Sequence, residues 1–219
     1  MNTLENVVVG LDGCPGGWIA CLWREPDDMR FCFVKEPGRL FEFGDSPLVI
    51  GIDIPIGLVE GPRDCDTLAR QLLGKRRSSV FPAPDRRLLQ IHEYKEANRL
   101  NRQWHGKGLS KQTFNLLPKI SEVDTFACLR LSPVFEVHPE LAFAQMAGAP
   151  MVHSKRKPEG FEERRNMCLE YNCPNGAAWA LPNQTIGSMP LQLLGPPEGS
   201  MKEKLPKSPT RRCMISMVF

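Results

Sequence analysis

Short apolar runs separated by turn residues dominate the first quarter of the chain. The β-branched run 7–11 predicts a strand, and the Gly- and Pro-rich segment 12–17 predicts a tight turn into a second strand at 18–23. The segment 30–35 predicts the third strand of this meander. A continuous apolar run at 47–57 is typical of a strand that is covered on both faces of a sheet.

Helical periodicity takes over after this run, interrupted by loops and one short strand. The predicted helices span about 63–74, 86–104, 110–129, 139–146 and 160–170. Pro118 lies inside the third of these and predicts a kink or a split, because proline removes a backbone donor. A basic loop is expected at 75–84 and a short strand at 133–137. Strands that alternate with helices favour an α/β class with a partly parallel sheet.

The C-terminal part of the chain has a different texture. Seven prolines fall between positions 174 and 209, and neither a helical nor an alternating period survives there. We therefore divide the chain into an α/β domain at 1–173 and a loop-rich, divergent or disordered tail at 174–219. The length of 219 residues and the hydrophobic content of 42% suit one such domain.

Composition excludes some classes of protein. No apolar run reaches the roughly 18 residues of a transmembrane helix, so we expect no membrane span. The first six residues lack the basic region and apolar core of a signal peptide. The 8 cysteines show neither a CxxC pair nor zinc-site spacing, which favours free thiols in a reducing compartment. These features predict a cytoplasmic protein, and the net charge of +3 is too small by itself to indicate nucleic-acid binding.

Acidic side chains fall at or near the ends of predicted strands. Asp12 ends the first strand, Asp53 ends the buried strand, Glu136 lies in the short strand and Glu140 follows it. Converging carboxylates repel one another unless a cation is bound, and hard divalent ions prefer oxygen ligands. We therefore predict a Mg²⁺ or Mn²⁺ site on Asp12 and Asp53, with assistance from the two glutamates. The alternative is that each acid only caps a turn or a helix.

Side chains that suit phosphate groups are also present. The candidate phosphate ligands are cations and one hydroxyl in predicted loops and helices, namely Arg63, Arg76, Arg77, Ser79, Lys111, Lys119 and Lys155. The expected partner is a nucleic acid or a phosphorylated small molecule. The alternative is that these charges form solvated helix faces, which is the usual role of a charge run.

His138 follows the short strand directly, between Glu136 and Glu140. An imidazole in this position is a candidate general acid, general base or metal ligand. The alternative is a structural histidine. Glu136 alternates with apolar neighbours, and a charged residue in a short core strand needs a partner or a cleft. We expect Lys111 or Lys119 to be that partner.

Taken in order, several stretches resemble domain-of-unknown-function family 429, a group of predicted nucleases with a ribonuclease-H-like fold. The matching stretches are Gly10–Trp18, Ile52–Leu58, Arg63–Asp66 with Ala69 and Arg70, Ser78–Pro84, Gly108–Gln112, Leu117–Ile120 with Glu122–Asp124, Glu136–Glu140, and Ser154 with Lys155. The resemblance implies a mixed sheet with an N-terminal β-hairpin meander and flanking helices. It also implies that Asp12 lies on the first strand and Asp53 next to it, at the end of the fourth.

The same resemblance implies a closing helix with paired acids. After Arg165 the acidic residues are Glu170, Glu198 and Glu203, and none stands in that context. The leading hypothesis is a metal-dependent nuclease or other phosphodiester hydrolase. A non-catalytic nucleic-acid or anion binder and an actin-like phosphotransferase are the alternatives. Hydrolysis requires a divalent ion, whereas simple anion binding survives a chelator and weakens with salt.

Overall fold

An antiparallel meander opens the part of the chain that the computed structural model describes, which comprises residues 7–24, 28–43, 47–129 and 131–170. Strand β1 (Val7–Cys14) pairs with β2 (Gly17–Arg24), and β2 pairs with β3 (Asp28–Val34). Gly16 makes the turn between β1 and β2 with a φ of 82°, a left-handed conformation that glycine adopts without strain. The predicted meander is confirmed, but the turn is shorter than the predicted 12–17. Asp12, expected at the end of the first strand, lies inside β1, and only Pro15 and Gly16 separate β1 from β2.

Two parallel strands complete the sheet. Strand β4 (Val49–Ile52) lies parallel to β1, and β5 (Val134–Glu136) lies parallel to β4. The strand order is β3–β2–β1–β4–β5. Every residue of β4 is buried, as the continuous apolar run predicts for a strand inside a sheet. The mixed sheet and the α/β class predicted from the sequence are thus confirmed.

Helices pack around this sheet. They are α1 (Asp64–Leu73), α2 (Tyr94–His105), α3 (Lys111–Cys128), α4 (Pro139–Ala147) and α5 (Pro158–Glu170), with 3₁₀ segments at Pro37–Phe43, Gly74–Ser79 and Arg86–Gln90. Helix α3 contributes Ile120, Val123 and Phe126 to the main core. Helices α1 and α4 meet in a second cluster that contains Leu73 and Leu141.

Alternation along β1 separates its core side chains from its polar ones. Val7, Val9 and Leu11 are buried in the same cluster as the apolar residues of α3. Because successive side chains of a strand point to opposite faces, Asp12 points away from this core, and it is exposed. The sheet therefore presents Asp12 on the face that α3 does not cover.

The prediction of one continuous helix at 86–104 is wrong, because this stretch is interrupted. Residues 86–90 form a 3₁₀ segment, Ile91 is extended, and α2 begins only at Tyr94. Asp85 caps the start of this segment, because its carboxylate accepts a hydrogen bond from the backbone N–H of Arg87 at 2.9 Å. The extended backbone at Ile91 ends the segment before α2 begins.

Two further predictions need correction. Helix α3 is not split at Pro118 but runs from Lys111 to Cys128. Pro118 is exposed, whereas Leu117 and Ile120 are buried, so the proline ring lies away from the packed side of the helix. The first half of the loop predicted at 75–84 is part of the 3₁₀ segment Gly74–Ser79.

Membrane and redox features were also predicted from composition. Within the described residues, no helix is long and apolar enough to cross a membrane. No disulfide joins the six cysteines of these residues. The tail predicted at 174–219 lies outside the described residues.

Candidate functional site

Asp12 and Asp53 lie side by side at the carboxyl edge of the sheet. In the parallel pairing of β1 with β4, Leu11 is the partner of Ile52, and each aspartate follows its residue directly. The backbone N–H of Asp53 donates to the carbonyl of Leu11 at 3.3 Å, which continues the pairing to this position. Side chains at matched positions of neighbouring strands point to the same face. The fold therefore brings the two predicted metal ligands together as one acidic pair.

Both members of this acidic pair have raised pKa values. Their side chains reach solvent, yet the protein around them removes enough hydration to raise the pKa of Asp12 and of Asp53. For Asp53 the pKa rises to about 7, with this loss of hydration as the main cause and repulsion from Asp12 as the next. A bound cation would relieve both penalties, because it favours the charged form of each carboxylate.

Lys155, in the turn before α5, acts on the acidic pair through its charge. Its side chain is exposed. Dehydration raises the pKa of Asp12 and of Asp53, and the charge of Lys155 acts in the opposite direction on both. One predicted phosphate ligand therefore lies within electrostatic reach of both predicted metal ligands.

Glu136, at the end of β5, is paired with Arg63. Arg63 Nη1 donates to Glu136 Oε2 at 2.7 Å, and Nη2 donates to Oε1 at 2.9 Å. The backbone N–H of Ile56 donates to Oε2 at 2.9 Å. The expectation that Lys111 or Lys119 balances Glu136 is therefore wrong, since the planar fork of an arginine already matches both carboxylate oxygens.

Glu140 is 5% exposed and is held by two arginines. Arg164 Nη2 donates to both of its carboxylate oxygens at 2.7 Å, and Arg76 Nη2 lies 3.7 Å from Oε2. Arg164 Nη1 also donates to the carbonyl of His153 at 3.2 Å. Glu140 therefore connects the basic 3₁₀ segment with the turn that carries Lys155.

His138 links β5 and α4 to the same 3₁₀ segment. Its Nε2 lies 3.2 Å from the carbonyl oxygen of Ser79. A carbonyl only accepts, so Nε2 carries the proton, and the Ser79 contact uses the backbone rather than the predicted hydroxyl. Burial lowers the pKa of His138, against smaller opposing effects of this hydrogen bond and of Glu140. The imidazole is therefore neutral at neutral pH.

The remaining predicted phosphate ligands lie in several places. Lys119 Nζ donates to the carbonyl of Gly17 at 2.7 Å and lies 4.4 Å from the centre of the Trp18 ring. Lys111 lies 5.8 Å from the ring of Tyr94, between α2 and α3. These two lysines are on α3, on the other side of the sheet from the carboxylate of Asp12.

Acidic and metal-ligating groups do not form a larger cluster in the described residues. Within these residues, no three His, Cys, Asp or Glu side chains come together closely enough to hold a metal ion. A groove of about 850 Å³ runs along α3 and is lined by residues such as Leu89, Phe114 and Pro118, without Asp12 or Asp53. Among the described residues, the candidate metal site therefore consists of two carboxylates, those of Asp12 and Asp53, which are exposed to solvent near the carboxyl ends of two central strands.

The model of one protein family matches residues 10–198, and its description is Protein of unknown function (DUF429). The matched stretch covers well over half of the 219 residues. The chain belongs to this family. No curated protein and no solved structure matches the chain. The DUF429 match includes every candidate residue from Asp12 to Lys155 and continues beyond residue 170, the last one described.

Two residues that hold this candidate site together were not singled out as site residues in the sequence. Asp66 accepts from Arg63, and Arg164 binds Glu140. The sequence of helix α5 does not distinguish its buried arginine from its exposed one. Arg164 is 2% exposed, whereas its neighbour Arg165 forms an exposed ion pair with Glu162. Two adjacent arginines on a charged helix differ here only through tertiary contacts.

Proposed function

We propose that this protein is a metal-dependent phosphodiester hydrolase of the nuclease type, with the acidic pair Asp12–Asp53 as its site. The observation that carries the proposal is the register of β1 and β4, which brings two carboxylates to one point at the carboxyl edge of the sheet. Oxygen donors suit Mg²⁺ and Mn²⁺, and Mg²⁺ is commonly bound by one or two carboxylates together with substrate phosphate. A site with two protein carboxylates fits this chemistry.

Each side chain around the acidic pair has a defined part in the proposal. Asp12 and Asp53 would hold the ion, and the chemistry it would supply when bound is activation of a water and neutralisation of charge on the phosphate. Lys155 would bind a phosphate oxygen, because its charge acts on the same pair. Glu136 and Glu140 support the site rather than bind the ion, since arginines occupy their oxygens.

A second candidate function is anion binding without catalysis. Arg77 and Lys155 are exposed on two segments that Glu140 connects. Such a surface binds phosphate groups without a metal ion, and this binding weakens as salt rises. Sensitivity to a chelator separates this function from hydrolysis.

Calorimetric titration of Mg²⁺ and Mn²⁺ into the full chain tests the proposed function. We expect the wild type to bind at millimolar metal or below and the Asp12→Asn/Asp53→Asn variant to lose this binding. A matched control is Glu96→Gln/Glu162→Gln, which removes two carboxylates from exposed ion pairs on α2 and α5. The control is expected to bind like the wild type.

Hydrolysis is then measured on a labelled oligonucleotide and on bis(p-nitrophenyl) phosphate, each with metal and with chelator. Metal-dependent cleavage that the double variant lacks supports the proposal. If the wild type and the double variant bind metal equally, the acidic pair is not the metal site. If oligonucleotide binding is unchanged by chelator and no cleavage occurs, the second candidate function is the correct one.

A further inference from the structure

Arg63 is an arginine with no N–H group left for a ligand. It is 5% exposed, and it precedes α1 directly. Nε donates to Asp66 Oδ2 at 3.3 Å, and Nη2 donates to the other oxygen of the same carboxylate. Nη1 donates to the carbonyl of Ile56 at 2.9 Å, and both terminal nitrogens donate to Glu136. All five guanidinium N–H groups are thus used inside the protein, and Arg63 is not available to bind phosphate as predicted.

The two carboxylates around Arg63 extend this network to further segments. Glu136 Oε2 also accepts from the backbone N–H of Ile56, so both polar backbone groups of Ile56 are held. Asp66 Oδ2 also accepts from the backbone N–H of Ala83 at 3.0 Å. One guanidinium therefore joins the segment after β4, the first turn of α1, the end of β5 and the loop before the Arg86–Gln90 segment.

The segment after β4 is the part of this network that matters for the acidic pair. Asp53 is its first residue, and Ile56, which the network holds at both backbone groups, follows three positions later. Glu136 lies next to this segment, because its partner in the pairing of β5 with β4 is Ile52, the residue before Asp53. Arg63 therefore both fixes the segment that carries Asp53 and neutralises a nearby negative charge.

We propose that Arg63 is a positioning residue for the acidic pair: it holds Asp53 in place through Ile56 and keeps Glu136 out of the metal site by occupying its oxygens. This inference rests on the proposed function and assigns Arg63 a supporting role instead of phosphate binding. Groups that orient metal ligands without touching the metal typically change metal affinity by about 10- to 100-fold when they are replaced.

The test uses Arg63→Lys, which retains the positive charge but loses the planar fork. The first readout needs no metal: hydrogen exchange of the Ile56 backbone amide, measured by NMR in the presence of chelator. We expect this exchange to become about fivefold faster or more, because the carbonyl of Ile56 loses the bond from Arg63 and its N–H loses the fixed carboxylate of Glu136 as acceptor. The second readout is calorimetry, in which we expect Mn²⁺ affinity to fall by about 10- to 100-fold.

Arg86→Lys is the matched control, because Arg86 also forms a bidentate pair with a carboxylate, that of Asp124, but between the 3₁₀ segment Arg86–Gln90 and α3. It is expected to lower stability without changing either readout. If Arg63→Lys does not fold, Glu136→Gln replaces it, and a fall in Mn²⁺ affinity of at least about tenfold is again expected.

The outcomes separate the two proposals. An unchanged exchange rate of the Ile56 amide in folded Arg63→Lys, or equal losses of Mn²⁺ affinity in Arg63→Lys and Arg86→Lys, overturns the positioning role. Absence of metal binding by the wild type overturns the proposed function instead, and faster exchange of Ile56 in the variant still supports the role of Arg63 in holding the segment that carries Asp53.

Discussion

Asp53 lies beside Asp12 because the residues that precede them, Ile52 and Leu11, are partners in the parallel pairing of β4 with β1. The two carboxylates come from parts of the chain about forty positions apart. Neither carboxylate is neutralised in the way that Glu136 and Glu140 are, by a bidentate arginine. Lys155 acts on the pair as a longer-range charge. The carboxylates of Glu136 and Glu140 thus form ion pairs inside the protein, whereas those of Asp12 and Asp53 are open to solvent.

Replacing Asp53 by Asn is expected to stabilise the metal-free protein at neutral pH and above. Loss of hydration and then repulsion from Asp12 raise the pKa of Asp53 to about 7, whereas an unfolded aspartate titrates near 4. The folded state therefore binds the proton more tightly, and stability falls as pH rises from about 4 to about 7. We expect a gain of about 1 kcal/mol at pH 8, a reduced figure because the side chain is open to solvent.

Urea denaturation at pH 5 and pH 8, with chelator, measures this effect. The stability difference between Asp53→Asn and the wild type should be larger at pH 8 than at pH 5. A difference that is the same at both pH values would show that Asp53 has an ordinary titration.

Lys155→Gln is expected to raise the titration midpoints of both aspartates. Burial is the main cause of the raised pKa of Asp12 and of Asp53, and the charge of Lys155 opposes it. The same variant should weaken binding of an oligonucleotide and reduce the slope of log affinity against log salt by about 0.7, the value for one lost contact to a single strand. NMR titration and fluorescence anisotropy measure the two effects.

Arg165→Gln is the control for Lys155→Gln, since it removes one exposed positive charge from α5. It should leave both aspartate midpoints and the salt slope unchanged. Equal effects of the two variants would mean that net charge, and not the position of Lys155, governs binding.

The strand ends that carry the acidic pair could be predicted because their signals are local. The apolar run that includes β4 is continuous and ends at Asp53, and the run of β1 ends at Asp12 before a Gly-rich turn. The choice of α/β class and the N-terminal meander follow from the same patterns. By contrast, the break between residues 90 and 94 follows from the extended backbone at Ile91, which a periodicity argument does not predict.

The partners of the charged residues could not be predicted, because they are determined by tertiary contacts. Glu136 and Arg63 are 73 positions apart, and both lysines considered as partners of Glu136 are on α3. In the sequence, Arg63 and Arg77 were equivalent candidates for phosphate binding. The structure distinguishes them, since Arg63 is buried by its network and Arg77 is exposed.

Glu140→Gln is expected to destabilise the protein strongly. The carboxylate of Glu140 and the guanidinium of Arg164 are both buried, at 5% and 2% exposure. Removing one partner of such a pair leaves a buried charge uncompensated and typically costs about 3–5 kcal/mol. Urea denaturation at pH 7 measures the loss.

The double variant Glu140→Met/Arg164→Met is the informative comparison for Glu140→Gln. Replacing both members of a buried pair by apolar residues of similar volume is often close to neutral. The double variant should therefore be more stable than Glu140→Gln. If it is less stable, the hydrogen bonds of Arg164 to the carbonyls of His153 and Gly160 contribute more than the ion pair does.

Asp85→Asn is expected to remove part of the acid sensitivity of the protein. The Asp85 side chain is buried and accepts hydrogen bonds from the backbone N–H of Gly61 and from Arg87, and its Oδ2 lies 2.9 Å from His105 Nε2. Burial alone raises a carboxyl pKa, but the bonds from Arg87 and His105 outweigh it and lower the pKa of Asp85 to about 2.

The sign of the pH dependence follows from this lowered pKa. Stability from ionised Asp85 is fully present above about pH 4, the value of an unfolded aspartate, and is lost as pH falls towards 2. We expect Asp85→Asn to lose about 2 kcal/mol at pH 7 and to approach the wild type at pH 2, because the wild-type carboxyl is then about half protonated. Urea denaturation between pH 2 and pH 7 follows the convergence, with Glu162→Gln, from an exposed pair on α5, as control. A loss that stays constant over this range would assign the cost to packing around residue 85 instead of to its charge.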